Sequence, residues 1–310
     1  MDMRILNPTD ENLDLASRVL RSGGLIGLPT ETVYGLAADA ANDDAIARIY
    51  QAKGRPKFNP LIAHVANIEM ALREGVFRPE ALALVERHWP GPLTLVVDVA
   101  PSGTVSDLAR AGLDSVALRM PSHAIPIMLI EAFGGPLVAP SANPSGKISP
   151  TTMQHVLEDM DEHFDLIFSG GTCAAGIEST IIDARGERPA LLRPGSMDPA
   201  WIEEIWPGLI RPNLNPDAPQ SPGQLLRHYA PNARLRLNAE TAEPGEAYLG
   251  FGDGPATLNL SKRGDLEEAA ANLFSMLRKL DAEYDRIAIA PIPTHGIGEG
   301  INDRLTRAAK

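Results

Sequence analysis

Polar side chains crowd together directly after a short apolar run near the amino terminus. The run Leu25–Leu28 lies between two glycines and Pro29, and this punctuation predicts a buried strand. Two hydroxyls, a carboxylate and a phenol follow at once, on Thr30, Glu31, Thr32 and Tyr34. Because α/β sheets usually bind ligands at the carboxyl ends of their strands, the stretch indicates a binding site. A turn in which threonine and glutamate only cap the next element is the alternative interpretation.

A basic loop follows the next helical segment. Its sequence, KGRPKFNP, places Lys53, Arg55 and Lys57 at alternate positions, which project to the same side of an extended chain. Three cations arranged in this way suit a triphosphate or a carboxylate. Glycine and proline stiffen the loop, which a merely solvated segment would not need. The alternative is a solvated basic loop without a ligand.

The segment PLVAPSANPSGKISPT, residues 136–151, repeats the pattern of an apolar strand, a proline and small polar side chains. Ser141, Asn143, Ser145 and Lys147 follow the strand. Small side chains beside glycine leave backbone N–H groups free to meet an anionic ligand. The alternative is an ordinary turn stabilised by its own serine and asparagine side chains.

Two arginines occupy equivalent places in the pattern. Arg119 and Arg193 each end an apolar strand, and each is followed within two residues by a proline, in ALRMP and LLRPG. Ser179 and Thr180 likewise enter a strand in GIESTIID. His64, in LIAHV beside the basic loop, is the histidine best placed to join them. These side chains are candidates for an anion site, or else lie at the rim of the sheet.

Strand and helix patterns alternate along the chain and predict an α/β fold in which helices cover both faces of a sheet. The alternation lapses in residues 207–231, which contain six prolines. Such a stretch is typical of a linker. The alternation resumes in residues 232–310. We therefore predict a larger domain over residues 1–206, a proline-rich linker, and a smaller α/β domain.

Composition and charge restrict the class of protein. The chain has 310 residues, of which 44% are hydrophobic and 22% charged, an ordinary globular composition. Its net charge of −12 argues against gripping nucleic acid by bulk electrostatics. No apolar run reaches the roughly 18 residues of a membrane span, and the amino terminus lacks the apolar core of a signal peptide. We expect a cytoplasmic protein without a membrane partner.

Several familiar chemistries have no motif in this sequence. The single cysteine, Cys173, excludes an internal disulfide, and the histidines show no metal-ligand spacing. There is no Walker loop, no G-x-G-x-x-G and no G-x-S-x-G nucleophile elbow. The inventory favours binding and polarising an anionic substrate over covalent catalysis.

Together these segments resemble the YrdC/Sua5 family, in its two-domain Sua5 form. PTETVYGLAADA, KGRPKFNPL, WPGPLTLV, VALRMP, APSANPSG, GIESTIID and LLRPGS occur in the family's order across residues 23–196. SPGQLLRHYAP is similar to the family's linker motif, although many members have Met, Lys and Tyr in place of Gln224, Leu225 and Leu226. The resemblance implies a twisted, open mixed sheet with helices on both faces, a linker over the active site, and a smaller Rossmann-like domain.

The resemblance also implies an activity. Such proteins make L-threonylcarbamoyladenylate and pyrophosphate from L-threonine, bicarbonate or CO2, and ATP, with Mg²⁺ held mainly by the ATP phosphates and water. Other enzymes then transfer the threonylcarbamoyl group to adenosine 37 of tRNA. The expected partners are therefore these substrates and a downstream transferase machinery, and tRNA binding by this chain is expected to be weak or indirect.

Motif positions assign roles to individual residues by the same resemblance. The implied catalytic residues are Lys53, Arg55 and Lys57. The implied L-threonine ligands are Thr32, His64, Arg119, Ser141 and Ser179. The implied ATP ligands are Arg55, Asn59, Ser115, Asn143, Thr151 and Arg193. No residue is assigned to a metal.

Three other functions remain open on sequence alone. An RNA-binding module is one, although the 16 basic and 25 acidic side chains of residues 1–200 weigh against it. A paralogue of the YciO kind that has lost the reaction is the second, and the intact KGRPKFNP motif favours the synthase over it. A carbamoyl-group enzyme of the hydrogenase-maturation kind would need acylphosphatase and zinc-finger segments, which this chain lacks.

Overall fold

The structure, a computed structural model, describes residues 4–213, 219–223 and 228–310. In these residues the helices are α1 Asp10–Arg21, α2 Asp43–Lys53, α3 Ile68–Glu74, α4 Pro79–His88, α5 Ala124–Phe133, α6 Met153–Met160, α7 Ala200–Ile205, α8 Leu266–Asp281 and α9 Ile297–Ala308. The strands are β1 Ile5–Leu6, β2 Ile26–Leu28, β3 Gly35–Asp39, β4 Ile62–His64, β5 Gly75–Val76, β6 Leu93–Val99, β7 Ser115–Arg119, β8 Leu137–Val138, β9 Leu166–Phe168, β10 Thr180–Asp183, β11 Ala190–Arg193, β12 Arg234–Arg236, β13 Ala247–Gly250, β14 Leu258–Asn259 and β15 Arg286–Ile289.

The larger sheet mixes parallel and antiparallel pairs. Across the described residues its order is β1-β9-β2-β3-β8-β4-β7-β6-β10-β11, and β5 pairs with β6. β4 and β7 run parallel with His64 opposite Arg119, so two candidate ligands lie side by side at the carboxyl ends of neighbouring strands. The mixed α/β sheet predicted from the sequence is confirmed.

The first polar stretch of the sequence is the connection of a β-hairpin. β2 pairs antiparallel with β3, with Leu28 opposite Gly35. The sequence predicted β2 but not β3, because GLAAD consists mainly of small residues with little strand propensity. A side chain at Gly35 would place its Cβ 2.9 Å from the Cβ of Ala139. This close approach brings the hairpin connection beside the loop that begins at Ser141.

Local signals set the helix ends that lead into the site. The side chain of Asn42 accepts hydrogen bonds from two backbone N–H groups at the start of α2. Gly54 ends the same helix in the left-handed region, with φ of 58°. Glycine adopts this conformation without steric cost, so the chain turns sharply from α2 into the basic loop.

The second sheet is smaller and entirely parallel. Its order is β12-β15-β13-β14 among the described residues, and α8 and α9 pack on its hydrophobic core. Val33, Ile148 and Ile177 of the larger part belong to the same buried cluster. The predicted two-domain architecture is therefore confirmed, and the two domains share a hydrophobic interface.

The exact domain limits at residues 206 and 231 stay predictions. The backbone N–H of Leu191 donates to the carbonyl of Ile210, so the chain still pairs with β11 a few residues beyond the first limit. Residues 214–218 and 224–227 lie outside the described residues. The predicted role of Gln224, Leu225 and Leu226 falls in that range.

Glycines permit the close contact between the two domains. A Cβ on Gly300 of α9 would lie 2.4 Å from the carbonyl oxygen of Gly195. A Cβ on Gly176 would lie 2.4 Å from the carbonyl oxygen of Ala270. Both neighbours are backbone atoms, which cannot rotate away as a side chain could.

We expect Gly300→Ala to lower the free energy of unfolding by roughly 1–3 kcal/mol, because the added methyl group must push two backbones apart. Urea denaturation monitored by circular dichroism measures this change. Gly186→Ala is the control, since a Cβ there would lie 3.5 Å from the carbonyl oxygen of Arg188, an ordinary van der Waals distance. Equal stability of the two variants would contradict the proposed packing constraint.

Candidate active site

A buried cavity lies where the motifs predicted from the sequence meet. It measures about 50 Å³ and lies between β4, β7, the hairpin connection and the linker. The predicted site residues that line it are Thr32, Arg55, His64, Arg119, Ser141, Ser179 and Arg193. Residues from seven separate sequence segments thus reach one place.

The hairpin connection is held rigid by its own threonines. The hydroxyl of Thr30 donates to the carbonyl of Val33 and receives hydrogen bonds from the backbone N–H groups of Thr32 and Val33. Thr32 Oγ1 then lies 2.9 Å from Arg119 Nη1, which donates to it. The turn therefore places a hydroxyl directly against a buried guanidinium.

Arg119 is anchored on three sides. Besides Thr32, its Nε donates to the carbonyl of Gly91 at 3.3 Å, and its Nη2 lies 2.6 Å from Glu31 Oε1. His64 is buried beside it. Burial first, and then the positive charge of Arg119, lower the pKa of His64 to about 3, so the imidazole is neutral at physiological pH.

Lys53 lies behind the cavity and does not line it. Its Nζ donates to the carbonyls of Ser141 and Asn143, each at 2.5 Å. Burial, and then the nearby Arg55, lower the pKa of Lys53 well below its usual range. Lys53 thus fixes the backbone of the loop that follows β8.

Arg55 lines the cavity and is buried. Its Nε donates to the carbonyl of Asn59 and its Nη2 to the carbonyl of Pro60, and burial lowers its pKa to about 10. The sequence placed Lys53, Arg55 and Lys57 on one side of an extended loop. Instead Lys53 belongs to α2 and Lys57 is exposed, so the three cations do not converge. Their catalytic roles stay predictions.

Arg193 and Ser179 form the wall next to the linker. Arg193 Nη2 donates to the carbonyl of Ser179 at 2.8 Å and to its hydroxyl at 3.1 Å. Arg193 Nη1 reaches the carbonyl of Pro222 at 3.5 Å, and a Cβ on Gly223 would lie 2.7 Å from Arg193 Cδ. The linker therefore contacts the arginine closely, and Gly223 is required for that contact.

Tyr229 connects the linker to the second domain. Its ring packs against His228 and Phe274, with centroids 4.0 and 5.6 Å away, and the guanidinium of Arg304 lies 5.3 Å from its centroid. Burial raises the pKa of Tyr229 to about 12 and lowers that of His228 to about 3. Both side chains are uncharged where they border the cavity.

A buried ion pair joins the second domain to the cavity wall. Arg304 of α9 donates from Nε to Glu178 Oε2 at 2.9 Å, and also donates to the carbonyl of Pro194. Ser149 donates to the other oxygen of Glu178 at 2.5 Å. Burial alone would raise the pKa of Glu178, but Arg304 and Arg193 more than offset this and lower it. Glu178 therefore stays ionised beside the site.

Some predicted site residues do not line the cavity. Ser115 begins β7 and lies roughly 13 Å along the strand from Arg119, from the usual rise per residue. The other residues in this class are Lys53, Lys57, Asn59, Asn143 and Thr151. Both amide atoms of Asn59, Nδ2 and Oδ1, and Oδ1 of Asn143 have no hydrogen-bond partner among the described residues. The nucleotide-binding roles predicted for these residues stay predictions.

Sequence reasoning missed three residues that shape the site. Glu31 was noted as a polar side chain, but its ion pair with Arg119 was not foreseen. Glu178 and Arg304 were not singled out, although Glu178 lies within a recognised motif, GIESTIID. Their partners are 88 and 126 positions away in the sequence, and no local pattern reports such pairs.

Two absences hold for the described part of the chain. No cluster of three or more His, Cys, Asp or Glu side chains that could hold a metal ion occurs there. None of the helices in those residues combines the length and apolar character needed to cross a membrane.

The fold and the site define an α/β protein with a cation-lined cavity bordered by described residues of the linker. The family model Sua5_yciO_yrdC, described as telomere recombination, matches residues 18–195. A second model, described as the C-terminal domain of threonylcarbamoyl-AMP synthase, matches residues 198–310. The chain belongs to the Sua5/YciO/YrdC family and carries the Sua5 C-terminal domain.

Curated relatives agree over nearly the full length. The chain is 38% identical to threonylcarbamoyl-AMP synthase of Bacillus subtilis, over 98% of this chain and 94% of that protein. It is 39% identical to threonylcarbamoyl-AMP synthase of Pyrococcus abyssi, over 95% of this chain and 93% of that protein.

Solved structures show the same architecture. The crystal structure of P. abyssi Sua5 complexed with L-threonine superposes with a TM-score of 0.90 at 37% identity, over 98% of this chain and 97% of that chain. E. coli YciO superposes with a TM-score of 0.55 at 21% identity, over 62% of this chain and 94% of that chain, and shows the shared fold alone.

We expect Arg304→Met to lower the free energy of unfolding by about 3–5 kcal/mol, because Glu178 would remain buried without its cation. Urea denaturation measures the loss. Arg211→Met is the matched control, since Arg211 also pairs with α9, with Glu299 at 2.9 Å, but its side chain is 56% exposed. The control should lose under about 1 kcal/mol. Similar losses in both variants would refute a special role for the buried pair.

Proposed function

We propose that this chain is a nucleotidyltransferase that makes L-threonylcarbamoyladenylate and pyrophosphate from L-threonine, bicarbonate or CO2, and ATP. The observation that carries the proposal is the convergence of Arg55, Arg119 and Arg193 on one buried cavity. The reaction brings together a carbamate and a triphosphate, which repel each other. Buried guanidinium groups offset that repulsion. The curated names of the Bacillus subtilis and P. abyssi relatives support this reaction.

We assign the threonine to the end of the cavity formed by β4, β7 and the hairpin connection. Arg119 is the cation for its carboxylate, and Thr32 fixes the orientation of that guanidinium. His64 is neutral and therefore brings no second positive charge to this end. Its Nδ1 has no hydrogen-bond partner among the described residues, so this ring nitrogen is available to the substrate. The L-threonine complex of the P. abyssi relative supports an amino-acid site in this fold.

We assign the ATP phosphates to the end formed by Arg55 and Arg193. Both guanidinium groups are buried and line the cavity. Lys53 contributes by fixing the carbonyls of Ser141 and Asn143, which keeps the following loop in place. Ser141 and Ser179 lie between the two ends and would contact either substrate.

The chemistry needs orientation more than a protein nucleophile. The neutral amine of threonine adds to CO2 and forms the N–C bond of a carbamate, and the proton that the nitrogen loses passes to water. A carbamate oxygen then attacks the α-phosphorus of ATP, and the bond to the β,γ-pyrophosphate breaks. The arginines hold the attacking and leaving groups in line and stabilise the charge that builds on the phosphoryl oxygens, which can be worth several powers of ten in rate.

Magnesium enters this proposal as part of the substrate, bound to ATP. Glu178, the carboxylate that lines the cavity, already accepts hydrogen bonds from Arg304 and Ser149, which leaves little capacity for a cation. A hard cation held by phosphate oxygens and water suits such a site. No protein ligand for Mg²⁺ is therefore proposed.

We place the reaction in the cytoplasm, where its product would supply a separate transferase that forms threonylcarbamoyladenosine in tRNA. An overall charge of −12 makes strong tRNA binding by this chain unfavourable. Transfer of the product to that transferase would then depend on the small molecule or on a protein contact.

Pyrophosphate release by the purified protein tests the function. ATP and Mg²⁺ are supplied throughout, and L-threonine and bicarbonate are added singly and together. We expect release only when both are present, because the carbamate is the attacking group. Release with neither would indicate an ATP hydrolase, and no release under any condition would indicate an inactive paralogue or an RNA-binding protein.

Single-site variants test the assignment of the two ends. We expect His64→Ala and Arg119→Ala to raise the KM for threonine roughly 10- to 100-fold, the loss of a charge-assisted hydrogen bond, with a much smaller change in the KM for ATP. Arg193→Ala should raise the KM for ATP, with a much smaller change in the KM for threonine. Far-ultraviolet circular dichroism controls for folding. The opposite pattern would mean that the two ends have been exchanged.

A further inference from the structure

A second cavity lies between the two domains, next to the candidate active site. It measures about 300 Å³, against about 50 Å³ for the site cavity. Its lining includes Glu31, Ser122 and Trp201 from the larger domain and Glu267 and Ile297 from the smaller one. We call it the interdomain cavity.

One ion pair lies between the two cavities. Glu31 lines the interdomain cavity, Arg119 lines the site cavity, and the two side chains meet at 2.6 Å. The Glu31 and Arg119 side chains are only 13% and 5% exposed. Neither oxygen of Glu31 makes a hydrogen bond of good geometry with the described residues. The Glu31–Arg119 ion pair therefore separates the two cavities. The Glu31 carboxylate can still accept hydrogen bonds from a ligand in the interdomain cavity.

The interdomain cavity has the chemistry of an amino-acid site. Its charged lining residues among those described are the carboxylates Glu31 and Glu267, and no arginine or lysine joins them. Ser122 and Ser196 add hydroxyl groups, and the Ser196 hydroxyl is buried without a partner in the described residues. Trp201 and Ile297 supply apolar surface. Carboxylates attract an ammonium group and repel a triphosphate, so the cavity fits a small amino acid and not ATP.

The two proposed ends of the site cavity have different neighbours. Linker residues Pro222, Gly223, His228 and Tyr229 border it on the side of the proposed phosphate end. The interdomain cavity borders it on the side of Arg119, the proposed ligand of the threonine carboxylate.

We propose that the interdomain cavity is the access site for the amino-acid substrate, and that the Glu31–Arg119 ion pair is the gate between it and the reaction site. This inference rests on the proposed function. The ammonium group of threonine first meets Glu31 and Glu267. Its carboxylate then replaces that of Glu31 on Arg119, while Glu31 faces the ammonium group. No buried charge is left unpaired in the exchange, which keeps its cost low.

To test the proposal, the mouth of the interdomain cavity is narrowed by substitution, and the exchange of threonine between solution and protein is measured. Ser122 and Ala174 line the cavity and are exposed, so Ser122→Phe and Ala174→Phe add a ring at the mouth with little effect on folding. Ser102→Phe is the control, at an exposed serine that lines neither cavity. The dissociation rate comes from the NMR line shape of the threonine methyl group, and Kd comes from the same titration.

We expect both occluding variants to lower the association and dissociation rates of threonine about tenfold or more, with Kd unchanged. Narrowing an access route raises the free-energy barrier between free and bound threonine but leaves the bound state unchanged. The association and dissociation rates must therefore fall by the same factor. Binding of ATP should keep its wild-type rate. Unchanged threonine rates would overturn the proposal, as would an equal slowing of ATP.

The outcome is separable from the proposed function. Threonine exchange is measured on the full chain without ATP, so it does not depend on turnover. Slower threonine exchange in the two occluding variants, together with no pyrophosphate release by the wild-type protein, would refute the reaction and keep the access site. A change in Kd without a change in the dissociation rate would place Ser122 or Ala174 in the bound complex and overturn the access role.

Discussion

The burial of several cations around one small cavity is the constraint on which the rest of the structure depends. Lys53, Arg55, Arg119, Arg193 and Arg304 are all less than 9% exposed. Three carboxylates, on Glu31, Glu178 and Asp303, pair with these cations in the described residues. Desolvated charges of one sign are costly unless each is hydrogen-bonded. Backbone carbonyls meet this requirement: they accept hydrogen bonds from the side chains of Lys53, Arg55, Arg119 and Arg193.

This requirement explains the prolines and glycines of the motifs. A carbonyl can point into a site only where the strand or helix has ended, because within regular structure it is already paired. The breakers follow β2, α2, β8 and β11. Carbonyls freed after them accept hydrogen bonds from the buried cations, as Ser141 does from Lys53 and Pro194 from Arg304. Such positively charged surroundings also suit a site for two anions, which would complete the pairing of the cations.

The second domain takes part in the same charge balance. Glu178 lies beside Arg193, and Arg304 of α9 supplies the cation that keeps Glu178 ionised and fixed. Arg304 also lies against the ring of Tyr229, so α9, the linker and the cavity wall meet in one buried group. The contact in turn requires glycine at the interface, where Gly195 and Gly300 touch backbone to backbone. The small domain is thus structurally part of the site, and its junction with the larger domain encloses the interdomain cavity.

The sequence by itself determined the features that depend on neighbouring residues. Helix caps, the turn at Gly54, the order of motifs and the alternation of strands and helices are encoded within a few positions, so the mixed α/β class and seven cavity residues could be predicted. The sequence did not predict β3, because its small residues have little intrinsic preference for a strand. They form one because β3 pairs with β2 and β8 in the folded sheet. Alternate spacing misplaced Lys53 and Lys57, because it assumed an extended loop where α2 continues to Lys53. Only the tertiary structure decided which charges meet, as in Glu31 with Arg119 and Glu178 with Arg304, since Coulombic pairing acts through space and has no period along the chain.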